Sequence, residues 1–142
     1  METKLNQLLS DFVVEYHKLQ NYHWYAKGAN FFNVHAKVEE LYDGFNASID
    51  EIAEVMLMES MSPAGSLKEF LKISKIKEAS RTEITSDAIY AEVLADFDYL
   101  NKLVLEIKKD ADESNRYVIS SAMDNLIANF AKSIWMIKQT LK

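Results

Sequence analysis

Helix-breaking residues are rare in this chain, which has 3 glycines and 1 proline among 142 residues. The many tight turns of an all-β fold depend on those two residue types, so that class is excluded. Long helices remain, and we predict an all-α protein. The length suits one hydrophobic core, so we expect a single domain spanning residues 1–142.

The composition is acidic and free of cysteine, with a formal net charge of −6. Excess acid argues against nucleic-acid binding, because phosphate contacts require clustered lysine and arginine. The N-terminus METKLNQLLSDF lacks the cationic and apolar regions of a signal peptide. No apolar run reaches the roughly 18 residues of a membrane span. We therefore expect a cytoplasmic protein without a membrane segment.

Apolar residues recur every three or four positions in four long segments, a pattern typical of amphipathic helices. We expect Gly28 to end the first helix as its C-cap. The predicted helices run from Thr3 to about Lys27, from an Asn33 cap to about Glu59, from near Ser86, and from about Asp112 to the end.

The stretch between the second and third of these helices is long enough to cross the molecule. Pro63 ends the second helical pattern. Residues 66–73 (SLKEFLKI) predict a short helix in which Ser66 and Glu69 form a capping box. We therefore predict a four-helix bundle whose long crossover between helices 2 and 3 carries a short extra helix and joins two parallel helices.

Histidines and acids in residues 21–54 form the candidate site. His23 continues the apolar stripe of the first helix and should point inward, whereas His17 lies about 120° away around the helix and should be at the surface. Imidazole and carboxylate groups together suit iron, manganese or zinc. One wedge of the second helix, beside its apolar face, holds His35, Glu39, Asp50 and Glu54.

A single chain cannot close this site. His35 and Glu54 lie roughly 28 Å apart on a straight helix, whereas ligands bind a metal at about 2.0–2.6 Å. If two copies of the second helix cross antiparallel about a two-fold axis, Glu39 of one copy approaches Asp50 and Glu54 of the other. The first helix would bring His23 towards His35.

Two other interpretations stay open on the residues alone. Acids spaced along a helix are often only its solvated face, and an inward histidine is often a core residue. The protein would then be a non-enzymatic helical assembly. Alternatively, the assembly binds another divalent metal, such as manganese or zinc, without redox turnover.

The runs NYHWYAKGANFF, HAKVEELYD, IDEIAE and SLKEFL resemble the Dps or mini-ferritin family of the ferritin-like superfamily. The specific motifs cover residues 5–75. The resemblance implies a hollow dodecamer of ferritin-like four-helix subunits, built from two-fold dimers. It also implies a ferroxidase that oxidises Fe(II) with peroxide or dioxygen, stores the ferric mineral and protects against oxidative stress.

The resemblance also implies roles for individual residues. Glu39 stands where many members have aspartate, and Glu59 and Ser60 replace a usual glycine pair. Trp24 would lie just outside the ligands. The catalytic iron ligands would be His23, His35 and Glu39 from one subunit with Asp50 and Glu54 from the other.

Two further expectations concern DNA and the pores of the shell. DNA binding in this family usually depends on a flexible basic tail, but only Lys4 precedes the body of the first helix. We therefore expect DNA binding to be weak or absent. By the resemblance, Asp112 and Asp124 are candidates for the acidic lining of three-fold pores, but Ser121 stands at a position that is often acidic in relatives, so we assign no iron entry path.

Overall fold

Five α-helices and two very short strands form the computed structural model, which describes residues 1–142. The predicted all-α bundle, with its short helix in the crossover, is confirmed. No helix is both long and apolar enough to span a bilayer. In chain order the elements are α1 (Glu2–Tyr25), β1 (Ala26–Lys27), α2 (Phe31–Met58), α3 (Leu67–Ile73), β2 (Ile84–Thr85), α4 (Ser86–Glu113) and α5 (Tyr117–Thr140).

The two strands fix the relative direction of α2 and α4. β1 leads into α2 and β2 leads into α4, and the strands pair in parallel with Ala26 opposite Ile84. Both helices therefore start at the same end of the bundle, which confirms the parallel crossover. The strands were not predicted, because two residues cannot show an alternating pattern. α1 runs antiparallel to α4, as shown by the ion pairs Lys18–Asp96 and Lys4–Asp110.

Each long helix contributes one aromatic ring to the centre of the bundle. We call these four residues, Phe12, Phe45, Phe97 and Phe130, the phenylalanine quartet. Their rings make edge-to-face and tilted contacts with centroids 4.8 to 6.2 Å apart. The rest of the core is mainly aliphatic, and its fully buried members include Leu5, Leu8, Leu19, Val38, Ile89, Leu100, Ile107 and Ile119.

The capping box predicted for α3 is present. The Glu69 backbone N–H donates to Ser66 Oγ at 3.3 Å, and the Ser66 backbone N–H donates to Glu69 Oε2 at 3.2 Å. These reciprocal bonds satisfy two backbone donors that the helix itself leaves unpaired. A local sequence signal was therefore sufficient to place the start of this helix.

The predicted Asn33 cap is wrong. α2 already begins at Phe31, with Asn30 as the residue before it. Gly28 does not cap α1, which ends at Tyr25. Gly28 instead adopts a φ of 108° in the connection. That conformation, open mainly to glycine, turns the chain within a few residues and lets the second helix start early.

Two long helices, α2 and α4, end in left-handed caps. Ser60 has a φ of 60° and Asn115 a φ of 58°. In each case the next residue's N–H bonds back across the last turn, which is the Schellman arrangement. The two bonds run from Met61 to the Met56 carbonyl and from Arg116 to the Ala111 carbonyl, both at 2.8 Å.

The predicted start of the last helix near Asp112 is also wrong. Asp112 belongs to α4, and α5 begins at Tyr117. Asparagine tolerates the left-handed conformation better than most residues, so Asn115 was the available stop signal. Val118 is 47% exposed, and the buried face of α5 starts at Ile119.

Candidate metal centre

His23 and His35 lie face to face between α1 and α2. Their rings are stacked, with centroids 3.6 Å apart and planes 15° apart. His23 is buried, as its place in the apolar stripe predicts, and His17 is exposed. The prediction that the two histidines meet is confirmed.

The backbone of each histidine fixes the ring of the other. Nδ1 of His23 is 2.7 Å from the carbonyl oxygen of His35, and Nδ1 of His35 is 2.7 Å from the carbonyl oxygen of His23. A carbonyl oxygen can only accept, so each Nδ1 carries a proton and donates it. In the neutral ring the lone pair then lies on Nε2. This is the tautomer and the backbone support typical of metal-binding histidines.

Aromatic side chains enclose the histidine pair. Phe31 stacks on His35 with centroids 4.9 Å apart, and Tyr42 meets His23 edge to face at 5.5 Å. The Tyr42 hydroxyl lies 3.5 Å from Oε1 of Glu39, one turn along from His35. Partial burial, followed by the Glu39 carboxylate, raises the pKa of Tyr42. The phenol therefore stays protonated and can donate to that carboxylate.

The other two acids of the candidate site stand apart from the histidines. Asp50 and Glu54 are exposed on α2, and neither forms a hydrogen bond or an ion pair with another side chain of the same chain. No three histidine, aspartate or glutamate side chains of one chain are close enough together to hold a metal ion. One subunit thus brings together His23 and His35 but not the whole set. Trp24, beside the pair in sequence, is 65% exposed.

The centre of the bundle offers no second place for a metal. In di-iron four-helix bundles, carboxylates and histidines project inward from facing helices. Here all four long helices fill that position with the phenylalanine quartet. Hydrocarbon rings supply no ligand atoms, so any metal site built from α2 must lie at the surface of the subunit.

Asp112 and Asp124, the two acids named as pore candidates, both lie beside the ammonium group of Lys108. Lys108 Nζ lies 2.9 Å from Asp124 and 3.7 Å from Asp112. Ser120 also donates a hydrogen bond to Asp112. The ammonium offsets part of the negative charge of these two acids.

A buried charged cluster between α1 and α4 was missed from the sequence. Glu15 is completely buried, and neither carboxylate oxygen has a hydrogen-bond partner. Burial, and then the nearby Asp96 carboxylate, raises the pKa of Glu15 well above its usual range. Lys18 Nζ pairs with Asp96 at 2.7 Å. The signal was available, because Glu15 lies one helical turn from both Phe12 and Leu19 on the buried stripe.

Comparison with known proteins gives the family. The ferritin-like domain family matches residues 2–142. The DNA protection during starvation protein of Helicobacter pylori is 35% identical over 137 residues, which cover 96% of this chain and 95% of that protein. The chain belongs to the Dps family. The DNA protection during starvation protein 2 of Bacillus anthracis is also 35% identical. The match covers 96% of this chain and 93% of that protein.

Solved structures of Dps proteins share the fold throughout. The Dps protein of Bacillus brevis superposes with a TM-score of 0.95 at 33% identity, covering 99% of this chain and 94% of that one. The Vibrio cholerae Dps protein, described as a member of a broad superfamily of ferritin-like diiron-carboxylate proteins, gives 0.95 at 33% identity. The superposition covers 99% of this chain and 88% of the Vibrio cholerae chain. This Dps chain therefore has the ferritin-like fold.

Proposed function

We propose that this chain is the subunit of a hollow cytoplasmic dodecamer that oxidises Fe(II) with hydrogen peroxide or dioxygen and stores the ferric product. Such a store would protect the cell from oxidative stress. Each site would lie between two subunits related by a two-fold axis. Its ligands would be His23, His35 and Glu39 from one subunit and Asp50 and Glu54 from the other, with Trp24 just outside.

The geometry of the histidine pair is the observation that carries this proposal. Both Nδ1 atoms are committed to backbone carbonyls, which leaves both Nε2 lone pairs free for a metal. Glu39 lies one turn further along α2 from His35. Asp50 and Glu54 are exposed, and one straight helix cannot bring them to the histidines. A second copy of α2 lying antiparallel to the first would bring its Asp50 and Glu54 to the histidines.

The proposed ligands suit iron oxidation. Carboxylates bind Fe(II) and stabilise the Fe(III) product, because their negative charge offsets the added positive charge, while imidazole nitrogens help to retain the first iron. Two Fe(II) ions release two electrons. One hydrogen peroxide molecule accepts both, takes up two protons and becomes two water molecules. No hydroxyl radical is released in that balance.

Fe(II) oxidation by the assembled protein tests the proposal. His23→Ala/Asp50→Ala removes one ligand from each side of the shared site. His17→Ala/Glu51→Ala removes a histidine and an acidic residue from exposed positions outside it. The rise of ferric absorbance should slow at least about tenfold in the first double variant, the usual scale for a lost metal ligand or its support. It should be unchanged in the second. Equal rates in both would refute the proposal.

Metal uptake separates the alternatives. In Glu54→Gln the ferroxidase proposal predicts weaker binding of Fe(II), whereas a purely structural assembly predicts no change. Binding of Zn(II) or Mn(II) at the same residues without Fe(II) oxidation would indicate a store for another divalent metal. Metal analysis of the purified protein, with its mass, decides between these readings.

Duplex DNA is not a strong partner in this proposal. The chain carries a net charge of −6 and only Lys4 near its N-terminus, and α1 already begins at Glu2. We expect no mobility shift of duplex DNA at physiological salt, and a clear shift would contradict this.

A further inference from the structure

A cleft of about 350 Å³ opens between α2 and α5. Its floor is the phenylalanine quartet, all four rings of which line it. α1 packs mainly on α2 and α4 mainly on α5, whereas α2 and α5 touch little. The cleft therefore reaches the edges of these rings, which are themselves buried, with Phe45 7% and Phe130 4% exposed.

Small residues keep the walls of the cleft apart. Gly44 and Ser48 line it from α2, and Ser133 lines it from α5. A Cβ atom added to Gly44 would meet no atom within 4 Å, so close packing does not require this glycine. A glycine inside a helix costs stability relative to alanine. In this subunit that cost has no packing explanation, but it leaves the cleft open.

The mouth of the cleft carries more positive than negative charge. Lys37, Lys132 and Glu40 all line it. Lys37 Nζ lies 3.3 Å from Glu40, so those two charges offset each other. Lys132 is exposed and has no acidic partner in the subunit. One uncompensated ammonium group therefore stands above an aromatic floor, in a chain whose overall charge is negative.

We propose that this cleft binds a small amphipathic monoanion, namely a medium-chain carboxylate with an apolar body of about ten carbon atoms. The body lies in the cleft along Leu41 and Met136 and against the edges of the phenylalanine quartet, where it displaces water from apolar surface. The carboxylate pairs with Lys132. The volume is near the lower end of the roughly 300–1,000 Å³ typical of small-molecule pockets, which excludes larger lipids. The site is separate from the histidine pair.

Calorimetric titration of the assembled protein with decanoate tests the proposal, with 1-decanol as the uncharged ligand of equal length. We expect one decanoate per subunit and at least about threefold weaker binding of decanol, because it lacks the charge that Lys132 attracts. Decanoate binding should weaken as salt is added, since the mouth is exposed to solvent. Absence of decanoate binding, or equal binding of decanol, would overturn the proposal.

Variants of the lining locate the binding. Gly44→Leu fills the cleft from the α2 wall and should reduce decanoate affinity at least about tenfold. Lys132→Gln should weaken it about threefold to tenfold, and Glu40→Gln should strengthen it by removing the only acid at the mouth. Lys138→Gln, an exposed α5 lysine outside the cleft, is the matched control and should change nothing.

Two further outcomes of these experiments also test whether decanoate binds in the cleft. If Gly44→Leu alters folding by circular dichroism, the opposite shifts of Lys132→Gln and Glu40→Gln carry the test. Unchanged affinity in both would place decanoate elsewhere and refute the cleft site. If the wild-type protein binds no decanoate and Gly44→Leu also prevents assembly, a second copy of the chain occupies the cleft, and the proposal is wrong.

Discussion

Glu15 occupies the environment least suited to its residue type. A carboxylate without hydrogen-bond partners is costly to bury, so the group takes up a proton instead. The charged groups that face Glu15 are Asp96 on α4 and Lys18 and Asp11 on its own helix. Lys18 already pairs with Asp96, which leaves Glu15 as the neutral member of the cluster.

The free energy of unfolding of Glu15→Gln, compared with that of the wild type, should therefore increase as the pH rises. Burial raises the pKa of Glu15 in the folded state, so between the ordinary glutamate pKa of about 4.3 and that raised pKa the folded state holds a proton that the unfolded state has lost. The free energy of unfolding of the wild type falls with pH across this window. Glutamine is neutral at every pH, so the free energy of unfolding of Glu15→Gln does not fall across this window.

Urea unfolding at about pH 5 and about pH 8, at one protein concentration, measures the effect. The gain of Glu15→Gln over the wild type should be larger at the higher pH. Glu51→Gln, an exposed substitution of the same kind, should show no such trend. A difference between Glu15→Gln and the wild type that does not vary with pH would show that Glu15 ionises normally.

At the scale of elements, the ends of the helices depend on single residues. Ser60 adopts the left-handed conformation that closes α2. A residue with a Cβ atom pays about 1–2 kcal/mol in that conformation. Buried Met61 and Met56 lie on either side of the cap, and the backbone bond between them makes up for part of this cost.

Ser60→Gly should stabilise the subunit by roughly 0.5–1 kcal/mol, because it relieves the strain while adding some freedom to the unfolded chain. The midpoint of thermal unfolding should rise accordingly. Ser62→Gly is the control, since Ser62 has no left-handed backbone, and it should leave the midpoint unchanged or lower it. A fall in the midpoint for Ser60→Gly would mean that the serine side chain stabilises the turn.

For the whole molecule, the central feature is that one subunit leaves its proposed ligands divided. The histidine pair is complete within one chain, but Asp50 and Glu54 lie exposed at a distance. Several large apolar side chains are exposed as well, including Trp24, Phe32, Trp135 and Leu67. A surface of this kind is typical of a subunit that associates with copies of itself.

Mixing two inactive variants tests the shared site directly. His23→Ala/His35→Ala lacks one half of each site, and Asp50→Ala/Glu54→Ala lacks the other. In a mixed two-fold pair, one of the two sites receives all its ligands and the other keeps only Glu39. Random mixing should therefore restore about a quarter of the wild-type rate of Fe(II) oxidation. Mixing His23→Ala/His35→Ala with Glu39→Ala, which lie on the same half, should restore none.

Mass measurement accompanies this experiment. A dodecamer of 16.3 kDa subunits has a mass of roughly 200 kDa. Recovery of activity in particles of that size supports the proposed assembly. A monomeric active protein, or activity that recovers equally in both mixtures, would contradict sites formed between subunits.

Features that depend on neighbours along the chain could be predicted from the order of the residues. Helical periodicity placed the buried faces, the inward His23 and the exposed His17, and the capping box placed α3. The fixed rise of a helix also showed that His35 and Glu54 cannot share a metal within one chain. These features follow from local geometry, so residues a few positions apart were enough to predict them.

Features that join distant parts of the chain could not be predicted and became visible in the packing of the helices. They include the stacking of His23 on His35, the exchange of their Nδ1 hydrogen bonds, the phenylalanine quartet, the cleft beside it and the partners of Glu15. Each depends on how helices that are far apart in sequence lie against one another, and a residue pattern does not specify those distances and angles. The backbone carbonyls that orient the two imidazoles come into place only when α1 and α2 pack together.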